Sequence, residues 1–358
     1  MDACDVLIVG GGPAGSSCAW ALKNSGLDVR ILDKAVFPRD KVCGGWITPP
    51  VLTALAIDPS DYALNRILQP ITGFRLSLIG GPAHFFDYGV PVSFGIRRCE
   101  FDHYLLRRCG ARVYEGAALS RLERMDGGWI VNGDLGARLI VGAGGHFCPV
   151  ARLLCERLPE SPVVAQETEF EMDPAETQTC TVAKSVPELY FCSDLKGYGW
   201  CFRKANVLNI GMGRADTHRL SEHVKDFLQR LHPIAGSIRP LRGHAYFLRG
   251  SSPRCPFGDG FLLIGDSAGL ARPQSGEGIL PAIQSGLLAA DVIRAADGDY
   301  APHRLQRYAD RLPHGNAGIL TRIGRHLPPA LVTASSALLM NNPWFLRHQV
   351  LDRWFLRA

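Results

Sequence analysis

Asp5 to Gly15 read D-V-L-I-V-G-G-G-P-A-G, and Ser16 to Ser25 continue as S-S-C-A-W-A-L-K-N-S. A short apolar run, a cluster of glycines and a helical stretch predict strand, tight turn and helix in that order. Gly10 permits the turn and Gly12 lets a backbone approach a pyrophosphate. Gly15 lets the helix pack on the strand, with Pro13 and Ala14 between them. A phosphate would rest on the helix N-terminus, where free N–H groups and the helix dipole favour an anion. A second strand, Val29 to Leu32, ends in Asp33 and Lys34, with Asp33 standing 23 residues beyond Gly10. Its carboxylate is placed to accept hydrogen bonds from the ribose hydroxyls of a dinucleotide. This pattern alone leaves FAD and NAD both open.

Far downstream, Phe261 to Ile279 read F-L-L-I-G-D-S-A-G-L-A-R-P-Q-S-G-E-G-I, followed by a helical run from Leu280 to Ala295. A buried strand here would deliver Asp266 to its C-terminal end, where open α/β sheets bind ligands. Asp266 can hold a polyol hydroxyl. Gly276, Gly278 and Ile279 open a helix whose N-terminus can stabilise negative charge on a reduced flavin ring. A cofactor touched by two such distant segments is long, as FAD is.

Taken together, these segments resemble the flavoprotein group built like p-hydroxybenzoate hydroxylase, and within it the geranylgeranyl reductase family. The resemblance spans most of the chain in the expected order. Lys41 to Gly45, K-V-C-G-G, is similar to that family's Cys-Gly-Gly segment. The resemblance places Lys41, Cys43, Gly44 and Gly45 beside the flavin ring. Tyr198 to Phe202 read Y-G-W-C-F, followed after eight residues by G-M-G at Gly211 to Gly213. In the family this aromatic segment lines the substrate cavity, which implies substrate-side roles for Tyr198, Trp200 and Phe202. Arg98, Phe101 and Asp102 resemble the family's R-x-x-F-D helix start, with Arg98 near the cofactor. The chain departs from the pattern at Gly142 to Gly145, G-A-G-G, where relatives usually carry G-A-D-G. No carboxylate therefore stands at position 144 to organise the pyrophosphates, and a tight NADPH site is not implied. Arg203 stands where many relatives have Pro.

The expected fold class is α/β: a Rossmann-like FAD-binding domain, a β-sheet substrate domain and a helical C-terminal tail. Residues 1–70, 95–155 and 245–300 are assigned to a discontinuous FAD-binding domain. Residues 71–94 and 156–244 form the β-rich part, where E-T-E-F-E and L-Y-F-C show the alternation of half-buried strands. Residues 301–358 form helices broken by Pro313, Pro328 and Pro329.

Hydrophobic residues make up 46% of the 358 and charged residues 20%, a globular composition that excludes a disordered or collagen-like chain. Four of the five net positive charges fall beyond Leu312, on Arg322, Arg325, Arg347, Arg353 and Arg357 against Asp352. The same tail carries Trp344, Phe345, Leu346, Trp354, Phe355 and Leu356. That mixture suits peripheral contact with an anionic membrane, and it also suits a terminal helix packed on the body. No basic run or nucleic-acid module appears elsewhere, so nucleic acid is not an expected partner. Eleven scattered cysteines without C-x-x-C or zinc spacing point to reduced thiols and to no metal site. With no charged and apolar leader, the expected location is cytoplasmic.

FAD supplies the difficult chemistry in such a protein, whose own task is to place a substrate against the flavin. Tyr198, Trp200 and Phe202 alternate along a predicted strand and so face one side, enough to wall an apolar cavity. A free thiol such as that of Cys43 is mostly protonated at neutral pH and can donate a proton as hydride leaves flavin N5. The expected reaction is reduction of an isoprenoid C=C bond in an apolar or lipid substrate, with NADPH or another donor supplying electrons. Three alternatives stay open. These are a monooxygenase acting through a flavin C4a-hydroperoxide, a halogenase-like enzyme, and a non-catalytic flavin redox or electron-transfer protein.

Overall fold

The computed structural model describes residues 2–155, 162–215, 220–231, 239–251, 254–313 and 329–356, with the backbone alone for 329–334. The chain divides into two units. The first comprises residues 1–40, 99–161 and 246–316, and the second comprises 41–98, 162–245 and 317–358. Residues 41–70, expected with the nucleotide-binding part, group with the second unit. The expected tail is divided between the two units.

The first unit is built on a sheet whose parallel strands run in the order Phe261–Leu263, Leu135–Gly142, Asp2–Val9, Val29–Leu32 and Arg112–Tyr114. Val6, Leu7, Ile8 and Val9 are all buried. A strand apolar at every position has both faces covered, as parallel sheets require. One face is covered by the helices Pro13–Leu22 and Ile279–Ala296, through Ala14, Cys18, Ala289, Ala290 and Ile293. The two helices approach closely because Gly286 lies against the Ala14 carbonyl, where a Cβ has no room. The helix Ile279–Ala296 is long and apolar enough to cross a membrane, but 67% of it is buried, so it serves as a core helix.

The second unit carries a seven-stranded sheet ordered Arg242–Tyr246, Val163–Glu171, Val207–Arg214, Gly197–Lys204, Glu188–Phe191, Gly73–Leu78 and His84–Asp87. The helix Leu220–Arg230 covers one face, where Phe227 sits over Gly199 beside Cys201, Leu208, Ile210 and Met212. A small sheet of Trp46–Ile47, Ser93–Ile96 and Leu68–Ile71 belongs to the same unit.

Candidate active site

In the first unit, Gly10 turns the chain at φ 119°, and a Cβ there would fall 2.4 Å from the Ala143 carbonyl oxygen, so that a side chain would strike backbone. Gly12 caps the helix Pro13–Leu22, with Pro13, Ala14 and Gly15 in the first turn. That helix has neither a side-chain cap nor an acid in its first turn, and the same holds for Ile279–Ala296, capped by Gly278. Two helix N-termini without side-chain caps leave backbone donors and positive dipole ends for an anionic or polar ligand. They lie near one another: Gly265 abuts Ala14, and an Asp266 carboxylate oxygen stands 3.2 Å from the Cβ position of Gly278. Gly276, at φ 70°, lies under the Tyr246 hydroxyl, and Ile279 is buried.

Asp33 is buried, and its two oxygens accept the N–H groups of Gly11 at 2.7 Å and Ala35 at 2.8 Å. It shapes the glycine turn, whereas Lys34 is exposed.

One cation here was missed in the sequence. Arg39 forms an ion pair at 3.2 Å with the fully buried Asp102, which sets its guanidinium 3.5 Å from the Cβ position of Gly12. Its Nη1 is buried and makes no hydrogen bond among the described residues. An orphaned buried N–H beside an uncapped helix N-terminus fits a pyrophosphate. Nothing local marks Arg39, because its partner lies 63 positions away; only the D of R-x-x-F-D pointed towards it.

In the second unit, Tyr198, Trp200 and Phe202 share one face of the strand Gly197–Lys204. The register sets Tyr198 opposite Gly213, Trp200 opposite Gly211 and Phe202 opposite Asn209. Gly211 is required by close approach, since the Trp200 ring lies across it and leaves no space for a Cβ. This accounts physically for the spacing between Y-x-W-x-F and G-x-G.

The Cys43–Gly45 turn packs onto that face. The Cβ position of Gly44 lies 3.4 Å from the Phe202 ring and 3.6 Å from Trp200 Nε1. Cys43 is held on both sides of its backbone: its N–H donates to Glu167 Oε1 at 2.5 Å, and its carbonyl accepts from Asn209 Nδ2 at 3.2 Å. Asn209 Oδ1 in turn accepts the Trp200 indole N–H at 2.7 Å. The amide of Asn209 therefore joins the thiol-bearing turn to the aromatic strand. Lys204, buried, donates to the Ile96 carbonyl at 2.9 Å and pairs with Glu169. Burial pushes the Glu167 carboxyl up to about 7; Glu169 adds to this, while the Cys43 N–H, Lys204 and Asn209 oppose it. This end of the face is therefore polar, where the aromatic triplet alone implied an apolar wall. The signal was present in E-T-E-F-E, which puts Glu167 and Glu169 on one side of its strand.

Lys41 approaches both ring nitrogens of His244, at 3.1 and 2.8 Å, and Arg98 is buried at the start of the helix Arg98–Arg108.

Residues 8–58 match the NAD(P)-binding Rossmann-like domain family. The menaquinone reductase of Mycobacterium tuberculosis (strain ATCC 25618 / H37Rv) is 29% identical, over 95% of this chain and 90% of its own length. The geranylgeranyl diphosphate reductase of Rhodobacter capsulatus is also 29% identical, over 87% of this chain and 81% of its own. Among solved structures, a geranylgeranyl bacteriochlorophyll reductase-like protein from Thermoplasma acidophilum aligns with a TM-score of 0.79. It is 22% identical, covering 96% of this chain and 92% of its own. The chain is similar to geranylgeranyl reductases. The resemblance read from its motifs is thus borne out in sequence and in fold.

The basic aromatic tail is divided in its exposure. Trp344 is 62% exposed, whereas Leu346 and Phe355 are buried within the second unit. Arg322, Arg325 and Arg357 lie outside the described residues.

Proposed function

We propose that this chain is an FAD-dependent oxidoreductase that reduces a C=C bond in an apolar substrate of isoprenoid type. The observation that carries the reading is the clamping of the Cys43 turn by Glu167 and Asn209 onto the face that bears Trp200 and Phe202. It holds the turn that bears the Cys43 thiol on large apolar rings through Gly44, an apolar setting suited to addition of hydrogen to an unactivated double bond. The first unit holds the cofactor. The glycine turn, Arg39 and the two helix N-termini take its phosphates and ring, and Asp33 and Asp266 take its hydroxyls. Reduced FAD supplies the hydride when bound, and NADPH or another donor keeps it reduced. Cys43 gives the proton to the other carbon of the double bond and regains one from solvent, so each turnover adds two hydrogens. Trp200, Phe202 and Tyr198 hold the apolar chain and keep water away. Menaquinone and geranylgeranyl diphosphate, named for the relatives' activities, both bear isoprenoid chains, which favours that substrate class.

The test is mass spectrometry of products after the FAD-loaded protein, chemically reduced, meets geranylgeranyl lipids and menaquinone without oxygen and then in air. Products heavier by pairs of hydrogens under both conditions are expected. Oxygen incorporated only in air would sink reduction in favour of oxygenation. Normal turnover by a folded, FAD-loaded Cys43→Ala variant would sink the proton-donor role.

A further inference from the structure

The aromatic face does not end in open space at Tyr198. The π-type helical segment Leu346–Leu356 places Phe355 there, 4% exposed. Its ring stacks on Trp46 at 5.2 Å and 13°, and meets Tyr198 edge-on at 5.5 Å and 79°. Phe191, beside Tyr198, completes the contact at 6.4 Å. Trp46 directly follows the Cys43–Gly45 turn and also touches Phe202 at 5.6 Å. One ring near the end of the chain thus bridges the two segments that carry the site.

The segment is latched where it enters. Asp352 accepts the Tyr88 hydroxyl at 2.6 Å, and the Arg347 guanidinium lies 3.5 Å over the Tyr88 ring and donates to the Asp87 carbonyl. Tyr88 packs edge-on against Phe74, which touches Trp46. Leu346, Val350 and Leu351 are buried beneath it. A ring so fixed cannot swing aside for a substrate as a loose terminus would.

We propose that Phe355 is a specificity-determining residue. It closes the Tyr198 end of the aromatic face and so limits the length of apolar chain that the site accepts. This rests on the reading of that face as the substrate site. A side chain too short to reach Tyr198 would open room for a longer chain, because tightly packed interiors leave a void when a ring is removed.

The experiment uses full-length FAD-loaded protein and measures binding of geraniol, farnesol and geranylgeraniol by quenching of tryptophan fluorescence, and then reduction of each. Native protein should lose affinity at one step of this series. Phe355→Ala should move that step to the next longer alcohol, with about tenfold tighter binding of the longer chain. Phe355→Leu, which disturbs packing less and guards against loss of folding, should move it part-way. An unchanged length dependence in folded variants overturns the assignment, even if every alcohol is reduced, in which case the reductase reading stands. A shifted length dependence without any reduction supports Phe355 and removes the reductase reading. Failure of native protein to bind any of the three overturns both.

Discussion

Glu167 is the residue whose chemistry and position disagree most with a surface carboxylate. Its carboxyl is pushed up to about 7 by burial, from an ordinary 4.5. A folded-state value above the unfolded one means that the folded chain binds the extra proton. The associated stability is complete below pH 4.5, is lost as pH rises through about 7, and changes little above that. The swing is roughly 3 kcal/mol for a shift of this size. Denaturant unfolding at several pH values should show Glu167→Gln lacking this fall while still offering an oxygen to the Cys43 N–H. Equal slopes in both proteins would mean that Glu167 titrates alike in the folded and unfolded chain. Arg39 is testable at the same scale. A charged hydrogen bond to phosphate is worth about 1.5–3 kcal/mol, so Arg39→Ala should weaken FAD binding by about tenfold or more in a flavin fluorescence titration. Unchanged affinity would show that its guanidinium faces no phosphate.

At the scale of elements, the pieces legible in the sequence were those whose signal is local. The glycine turn, the strand ending in Asp33 and the strand leading to Asp266 follow from short-range spacing, and each stands where its motif implied. The alternation of Tyr198, Trp200 and Phe202 likewise predicted one shared face. What escaped were partners far apart along the chain: Arg39 with Asp102, Cys43 with Glu167 and Asn209, and Phe355 with Trp46. Nothing in a single sequence ties such positions together, because strand register and helix packing decide them. The tail shows the consequence, since its composition suited both a packed terminal helix and a membrane surface, and packing places Phe355 inside. Helix packing also yields a prediction. Gly286→Val would force a side chain into the Ala14 carbonyl and should cost about 1–3 kcal/mol or more, seen as a lowered thermal midpoint. A midpoint equal to that of native protein would show that the two helices can separate without penalty.

For the whole molecule, ligand binding should appear as stability. FAD bound only by the folded chain, at one hundred times its Kd, should add about 2.7 kcal/mol to unfolding of the first unit. A calorimetric scan with and without FAD checks this, and an unshifted transition would count against the dinucleotide reading itself. The charge pattern is also a property of the whole. Trp344 is exposed while Phe355 is not, so any binding to anionic vesicles should fall on Trp344→Ala and survive Phe355→Leu in a flotation assay. The reverse result would place Phe355 at the lipid surface instead of the aromatic site.

The strand order of the first unit also bears on how the protein is made. Ile140 to Gly142 pair with Phe261 to Leu263, more than a hundred residues later. At about 5–20 residues per second, a ribosome leaves that apolar strand end unpaired for on the order of ten seconds. Each nascent chain therefore spends that interval with an adhesive edge exposed, and the yield of soluble protein in a cell will depend on what shields the edge until residue 263 emerges.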